Sequence, residues 1–295
     1  MENKLISVCI PAYNAASFIQ ETLQSISAQT YKNWEVIVVE DGTCDGTKDI
    51  VEKFKKQVNQ DVTYIRQHKN SGVSASRNRA VDSARGEWIA LIDSDDLWHE
   101  NHLADLVNTA NSQPLSSLIH SGVTVFDSES GLTIFDEKRS PEAISRLPLS
   151  LFKAEYTIQP SACMIAADLY KQVGGFNIDL GHSEDLEMWF RCARAGCKFA
   201  YTGRNTSYYR KHTGGASAHS PNMSVGNAEV YSIHADWDAI PKSIRLGYAA
   251  SQWLSAARII RVSDKNLASE YTLKAMKYKV TFKSLIMWLA LRVGV

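Results

Sequence analysis

The chain has 295 residues, 44% hydrophobic and 22% charged, a balance that excludes a disordered protein and suits one large domain, or one domain with an appendage. Its 32 Lys and Arg match 32 Asp and Glu, so the formal net charge is zero and no global field gathers nucleic acid; no nucleic-acid partner is expected. Five cysteines, at 9, 44, 163, 192 and 197, form neither a disulfide framework nor a zinc ribbon and read as packing residues in a reducing compartment.

Leu5–Ile10 is an apolar run stopped by Pro11, and Ala15–Ala28 follows with Phe18, Ile19, Leu23 and Ile26 at helical spacing. Trp34–Val39 is a second strand ending in Glu40-Asp41-Gly42, with a helix from Thr47 to Val58 capped by Asp45 or Thr47. Val62–Ile65 is a third strand, Gly72 opens a helix to Ala84, and Trp88–Ile92 is a fourth strand. Strands alternating with helices predict an α/β fold: a mostly parallel sheet, right-handed crossovers and helices on both faces. Leu118–Phe126 and Leu132–Phe135 read as strands about a turn at 128–131, Ser161–Ala166 as a buried strand, Gly174-Gly175 as a tight turn and Glu184–Ala195 as a helix. Beyond Asn227 everything reads as helix. The expected division is a main domain over 1–215, in two halves at 1–100 and 101–215, and a helical C-terminal extension over 216–295. No signal-peptide h-region follows Met1–Lys4, and there is no run of about 18 apolar residues. The expectation is a cytoplasmic protein, or one held peripherally on the inner face of a membrane.

The fourth strand ends in Asp93-Ser94-Asp95-Asp96. Ligands of open α/β sheets bind outside the carboxyl ends of strands, and side chains two apart in extended chain share a face. Asp93 and Asp95 are therefore candidates to converge on one divalent cation, Mg²⁺ or Mn²⁺ rather than zinc. The alternative is that Asp95 or Asp96 caps a helix running from Leu97 to Val107. An EF-hand loop fits poorly, because Leu97 and Trp98 stand where it needs an oxygen ligand and a glycine. Ala12-Tyr13-Asn14, Glu40-Asp41-Gly42 and the loop before Arg77-Asn78 bring further polar groups to the same edge. A nucleotide would use this set: Tyr13 stacking on a base, Asp41 accepting from a base N–H, Arg77 meeting a carbonyl or phosphate, Asp93 holding a ribose hydroxyl. Taken singly, each is as well explained by a turn or a cap. Neither G-x-G-x-x-G, nor a P-loop, nor G-x-S-x-G is present.

Ile10-Pro11-Ala12-Tyr13-Asn14, Val38-Val39-Glu40-Asp41-Gly42, Ser76-Arg77-Asn78, Asp93-Ser94-Asp95-Asp96, Gly174-Gly175-Phe176 and Ser183-Glu184-Asp185 follow in order. Together they resemble a family 2 glycosyltransferase of the GT-A fold, over residues 5 to 215. The resemblance implies inverting transfer of a sugar from a nucleotide-diphosphate donor, usually a UDP-sugar, with 1–100 as the nucleotide-binding half and 101–215 as the acceptor half. It implies that Pro11, Tyr13, Asp41 and Arg77 hold the base, Asp93 the ribose, Asp95 the Mn²⁺ or Mg²⁺, and that Asp185 is the catalytic base. A carboxylate to take the acceptor proton and a metal to stabilise the leaving diphosphate suit this chemistry. As the second residue of its helix, Asp185 has a charge that the macrodipole favours in any case. Tyr208-Tyr209-Arg210-Lys211-His212 resembles the segment in which a histidine reaches the metal or diphosphate, with Arg210 or Lys211 offsetting phosphate charge. Glu40 and Thr43-Cys44 depart from the family's common residues. The missing Gln-x-x-Arg-Trp segment and membrane spans imply non-processive addition.

Residues 271–295 combine Lys274, Lys277, Lys279, Lys283 and Arg292 with Phe282, Leu285, Ile286, Met287, Trp288, Leu289 and Leu291. Such a stretch suits a membrane interface, and with it a lipid-linked glycan acceptor in surface polysaccharide biosynthesis. The alternative is packing on the protein or on a second subunit, giving a homo-oligomer. Two rival functions remain in view, a sugar-nucleotide pyrophosphorylase and a sugar-nucleotide-binding module without transfer activity.

Overall fold

The apolar run predicted to begin the sheet becomes its organising strand, buried along its whole length. The computed structural model describes residues 4–137, 140–213 and 221–293. In chain order the first half holds β1 (Ile6–Ala12), α1 (Ile19–Ser27), β2 (Trp34–Asp41), α2 (Thr47–Lys55), β3 (Val62–Gln67), α3 (Val73–Asp82), β4 (Trp88–Leu91), β5 (Leu97–Trp98) and α4 (His102–Ser112). There follow β6 (Ser116–Asp127), β7 (Thr133–Glu137), α5 (Pro141–Ser145), α6 (Leu149–Phe152), a 3₁₀ turn (Pro160–Ala162), β8 (Cys163–Ala166), α7 (Ala167–Val173), α8 (Glu184–Arg194) and β9 (Lys198–Lys211). Four helices close the chain: α9 (Pro221–Ile233), α10 (Lys242–Ile260), α11 (Lys265–Tyr278) and α12 (Phe282–Val293).

The strands lie in the order β3-β2-β1-β4-β8-β6-β9-β5, with β7 added to β6. β1 to β4 are parallel. β8 runs antiparallel between β4 and β6, β9 pairs parallel with β6, and β5 is antiparallel to β9. The period-2 alternation of the strands separates two cores. Ile6, Val8 and Ile10 join Val36 and Val38 under α1, α2 and α4. Cys9, Ile37 and Val39 face α3, α8, α9 and α10. Helices α9 and α10 thus share a core with the sheet, and Tyr231 donates to the Phe152 carbonyl at 2.7 Å. Met287 of α12 and Ala275 of α11 pack on Trp253 of α10 in a smaller outer cluster. The expected boundary at 215–216 lies outside the described residues. Among the described residues no helix is long and apolar enough to cross a membrane.

Three local expectations are corrected. No helix starts at Leu97: Leu97 and Trp98 pair with Tyr208 and Ser207 as β5, and α4 begins only at His102. Asp95 and Asp96 are therefore not caps. The Ser161–Ala166 segment opens as a 3₁₀ turn, led by Pro160, which has no N–H to give a strand ladder, before β8 begins at Cys163. Cys9, Cys163 and Cys192 are buried, but Cys44 is exposed in the turn before α2 and is not a core residue.

At the end of β2, Gly42 has φ 75°, and a Cβ there would stand 2.5 Å from the Lys69 carbonyl carbon and closer still to the Asn70 amide nitrogen. The β2 and β3 end loops cross at this point, so only glycine fits. Gly42→Ala is expected to destabilise the protein by about 2 kcal/mol or more, from left-handed backbone strain plus the clash. Urea unfolding measures this, and a loss under about 0.5 kcal/mol would contradict the crossing.

Candidate active site

The uncharged run of β4 delivers Asp93 to the carboxyl edge of the sheet, where its amide donates to Ser161 Oγ at 3.0 Å. Its Oδ1 accepts from Arg77 NH2 at 2.7 Å, and the other terminal nitrogen of Arg77 donates to Glu184 Oε1, also at 2.7 Å. Arg77 comes from α3, is 3% exposed and lies 5.1 Å from the centre of the Phe176 ring. A guanidinium taken so far out of water must be matched by paired acceptors. Here the two acceptors belong to β4 and α8, so one buried cation joins the strand end to the helix start.

Two positive-φ glycines, Gly174 and Gly175, turn the chain after α7, and Ser183 enters α8 in the left-handed region at φ 61°. The Ser183 hydroxyl donates to Asn227 of α9 at 2.8 Å, and Gly226 lies so close that a Cβ there would meet the His182 carbonyl oxygen at 2.7 Å. Asp185, second in α8, is partly buried and accepts from the Leu186 amide at 2.7 Å. Burial and the adjacent Glu184 charge push its carboxyl up to about 6, against the opposing pull of that amide and of Arg77.

Nearby, Asp95 Oδ2 and His212 Nε2 are 3.0 Å apart, and the His212 ring packs against Phe18 with centroids 4.6 Å apart. Burial, then the Asp93 charge, raises the Asp95 carboxyl, while His212 works the other way. Burial and the charges of Asp95 and Asp93 raise Asp96 still more. Asp96 accepts from the Arg210 amide at 3.0 Å, and its carbonyl accepts from Thr22 at 2.9 Å. The Arg210 side chain binds the Asp95 carbonyl and Glu21 and lies over Phe18 and Phe126, so it is spent on fixing this loop. Lys211 is exposed.

The remaining candidates line the same edge. Pro11 is buried within β1, whereas Tyr13 is 55% exposed. Asp41 is buried and accepts from the Ser71 amide and Gln67 on Oδ1 and from the Gly72 amide on Oδ2, all at 2.8 to 3.0 Å. Its carboxylate builds the loop before α3. Of the two histidines that follow the aspartates, His102 is buried against Thr206 and His99 accepts from the Asn101 amide. Glu184, Glu21, Phe18 and Ser161 are site residues that motif reading passes over. Only Glu184 had a local signal, as a second carboxylate beside Asp185.

The description "Glycosyl transferase family 2" matches residues 7–174, a span holding β1 through α7 and the Asp93–Asp96 loop. The chain belongs to this family. As a family 2 glycosyltransferase it is 29% identical over 219 residues to the Escherichia coli UDP-Glc:alpha-D-GlcNAc-diphosphoundecaprenol beta-1,3-glucosyltransferase WfaP, covering 73% of this chain and 80% of that one. It spans 31 to 59% of the length of five other curated relatives it matches. Its fold is that of S. aureus TarS 1-349 in complex with UDP-GlcNAc, with TM-score 0.67, 18% identity and coverage of 98% and 92%. The Pyrobaculum calidifontis mannosyltransferase PcManGT, in complex with GDP-Man and Mn²⁺, gives TM-score 0.65, 19% identity and coverage of 99% and 81%. These glycosyltransferases share the GT-A architecture with this chain.

In the family 2 site, Asp185 carries a folded-state carboxyl raised from 3.8 to about 6. The folded chain therefore holds this proton more tightly than the unfolded chain. The ionised group costs stability at neutral pH, and that cost fades as pH falls through about 6 towards 3.8. Asp185→Asn is expected to raise Tm at neutral pH, with the gain shrinking as the pH falls through about 6 and gone by about 3.8. Calorimetry across this range checks it. A variant that melts lower than wild type at neutral pH would contradict the assigned environment.

Proposed function

We propose that the protein moves a sugar from a UDP-sugar to a hydroxyl of a glycan or lipid-linked glycan, with inversion at the anomeric carbon and one sugar per encounter, in surface polysaccharide biosynthesis. The observation that carries this reading is that Arg77 ties Asp93 to Glu184 beside Asp185, while Asp95, two residues from Asp93, meets His212 at 3.0 Å, so a carboxyl raised to about 6 and a candidate cation pair share one edge. One carboxylate is set to exchange a proton at physiological pH, and another is set to share a cation. Family membership replaces the pyrophosphorylase alternative.

Asp185 takes the proton of the acceptor hydroxyl as that oxygen bonds to the anomeric carbon, and the bond to the diphosphate breaks on the opposite side. Pro11, Tyr13 and Asp41 border the base, and Asp93 receives the ribose. Arg77, with both terminal nitrogens on carboxylates, shapes this pocket through Asp93 and the α8 start. Asp95 and His212 would hold Mn²⁺ or Mg²⁺. Asp95 Oδ2 and His212 Nε2 lie 3.0 Å apart, so both could turn to one ion placed between them. Among the described residues no group of three or more His, Cys, Asp or Glu could hold a metal, so the ion would need donor phosphate oxygens or water as further ligands. When bound, the ion stabilises the charge of the departing diphosphate. Similar proteins support the parts: UDP-Glc and a diphosphoundecaprenol-linked acceptor for WfaP, UDP-GlcNAc for TarS, GDP-Man and Mn²⁺ for PcManGT. We further assign donor binding to 1–100, acceptor binding to 101–215, and contact with a membrane or a second copy to the extension at 216–295.

Thermal shift with UDP-, GDP- and dTDP-sugars, each with Mn²⁺ and with EDTA, is expected to give a metal-dependent rise in Tm for UDP-sugars that Asp95→Ala removes. No rise with any nucleotide would contradict the donor site. Asp185→Asn is expected to cut turnover by about 10²- to 10⁴-fold while keeping donor affinity, whereas unchanged turnover would remove Asp185 as the base.

A further inference from the structure

The zero net charge conceals a steep division along the chain. Residues 239–295 hold ten Lys and Arg against Asp264 and Glu270 alone, a formal +8 that balances −8 on residues 1–238. Both carboxylates are committed elsewhere: Glu270 pairs with Lys274 at 2.9 Å, and Asp264 caps α11 by accepting from the Leu267 amide at 2.9 Å.

Between α10 and the corner where α11 passes into α12 lies a cavity of about 500 Å³. Gly247 and Ala250 leave room on its α10 wall, and its lining carries three cations, Arg258, Lys279 and Lys283, and no carboxylate. Among the described residues no acidic side chain pairs with any of the three. Phe282 stands at the same corner and begins an apolar stripe with Leu285, Ile286 and Leu289, at i, i+3, i+4 and i+7 of α12. These four are 77%, 40%, 50% and 54% exposed, while Ser284 and Met287 on the other side of α12 are buried. A three-cation cavity edged by an exposed apolar stripe complements a molecule with an anionic head and an apolar tail. A second copy of this chain fits less well, since a two-fold contact brings the same unpaired cations together.

We infer that this cavity seats the phosphate headgroup of an anionic membrane lipid, with Phe282, Leu285, Ile286 and Leu289 entering the acyl layer. The inference rests on the membrane contact proposed above and sharpens it to a ligand class and a site. The enzyme is thereby held where a lipid-linked acceptor lies.

The test is flotation of the full chain with vesicles of phosphatidylcholine alone or mixed with phosphatidylglycerol. Binding to the mixed vesicles is expected. The triple change Arg258→Gln, Lys279→Gln, Lys283→Gln is expected to weaken it by about 100-fold. Lys242→Gln, Arg261→Gln, Lys265→Gln removes equal charge from the same segment outside the cavity, and is expected to weaken binding by less than about tenfold. Phe282→Ser with Leu285→Ser is expected to weaken binding to the mixed vesicles as well. UDP release from the donor, expected to stay within about twofold of wild type in every variant, separates lost membrane binding from lost folding. Equal losses in the two triple variants, or no binding to mixed vesicles, would overturn the site. Binding of the cavity to an acidic protein but not to lipid would overturn it equally. Vesicle binding without UDP release in the wild type would instead strike the transfer reading and leave the lipid site standing.

Discussion

One buried guanidinium conditions the rest of the site. Arg77 is removed from water on α3, a position that a lone cation cannot hold, and it is offset by Asp93 at the end of β4 and Glu184 at the start of α8. Without Arg77 two carboxylates would face each other uncompensated. With it, a strand end from the first hundred residues and a helix about ninety residues later share one ion-paired joint. Asp185 inherits its surroundings from that joint: Glu184 raises its carboxyl and Arg77 restrains the rise, leaving it at about 6.

A second joint has the same logic with different groups. Asp96 is buried and holds the Arg210 amide, while the Arg210 side chain reaches the Asp95 carbonyl and Glu21 of α1. This fixes the backbone on both sides of Asp95 and brings His212, just past β9, to its carboxylate. The C-terminal helices enter the account through α9, whose Gly226 and Asn227 abut His182 and Ser183 immediately before the proposed base. They shape the site as well as extending from it.

The parts of this design that are local in sequence are the parts that could be read there. Alternating and continuous apolar runs gave β1 to β4, and the ordered motifs brought Asp41, Arg77, Asp93, Asp95 and Asp185 to one edge. Nonlocal pairing was not legible. Leu97 and Trp98 look like a helix start because their β partners, Tyr208 and Ser207, come about 110 residues later. Arg77 reads in sequence as a contact to a base, carbonyl or phosphate and Arg210 as an offset to phosphate charge; their carboxylate partners, Asp93 and Glu184 for the one and Glu21 for the other, come into view only with the fold. Charge followed the same rule. A neutral total hid a basic segment that becomes meaningful once folding gathers Arg258, Lys279 and Lys283 around one cavity.

The central claim is that the Arg77 joint poises Asp185 as a base near pH 6, and the pH dependence of kcat/KM for UDP-sugar hydrolysis, with water in place of the acceptor, addresses it most directly. Wild type is expected to gain activity as pH rises through about 6, the ionisation assigned to Asp185. Glu184→Gln removes the adjacent negative charge while keeping a hydrogen-bond acceptor for Arg77, so the acid limb is expected to move to lower pH. An acid limb that stays in place or moves upward in Glu184→Gln would contradict the account.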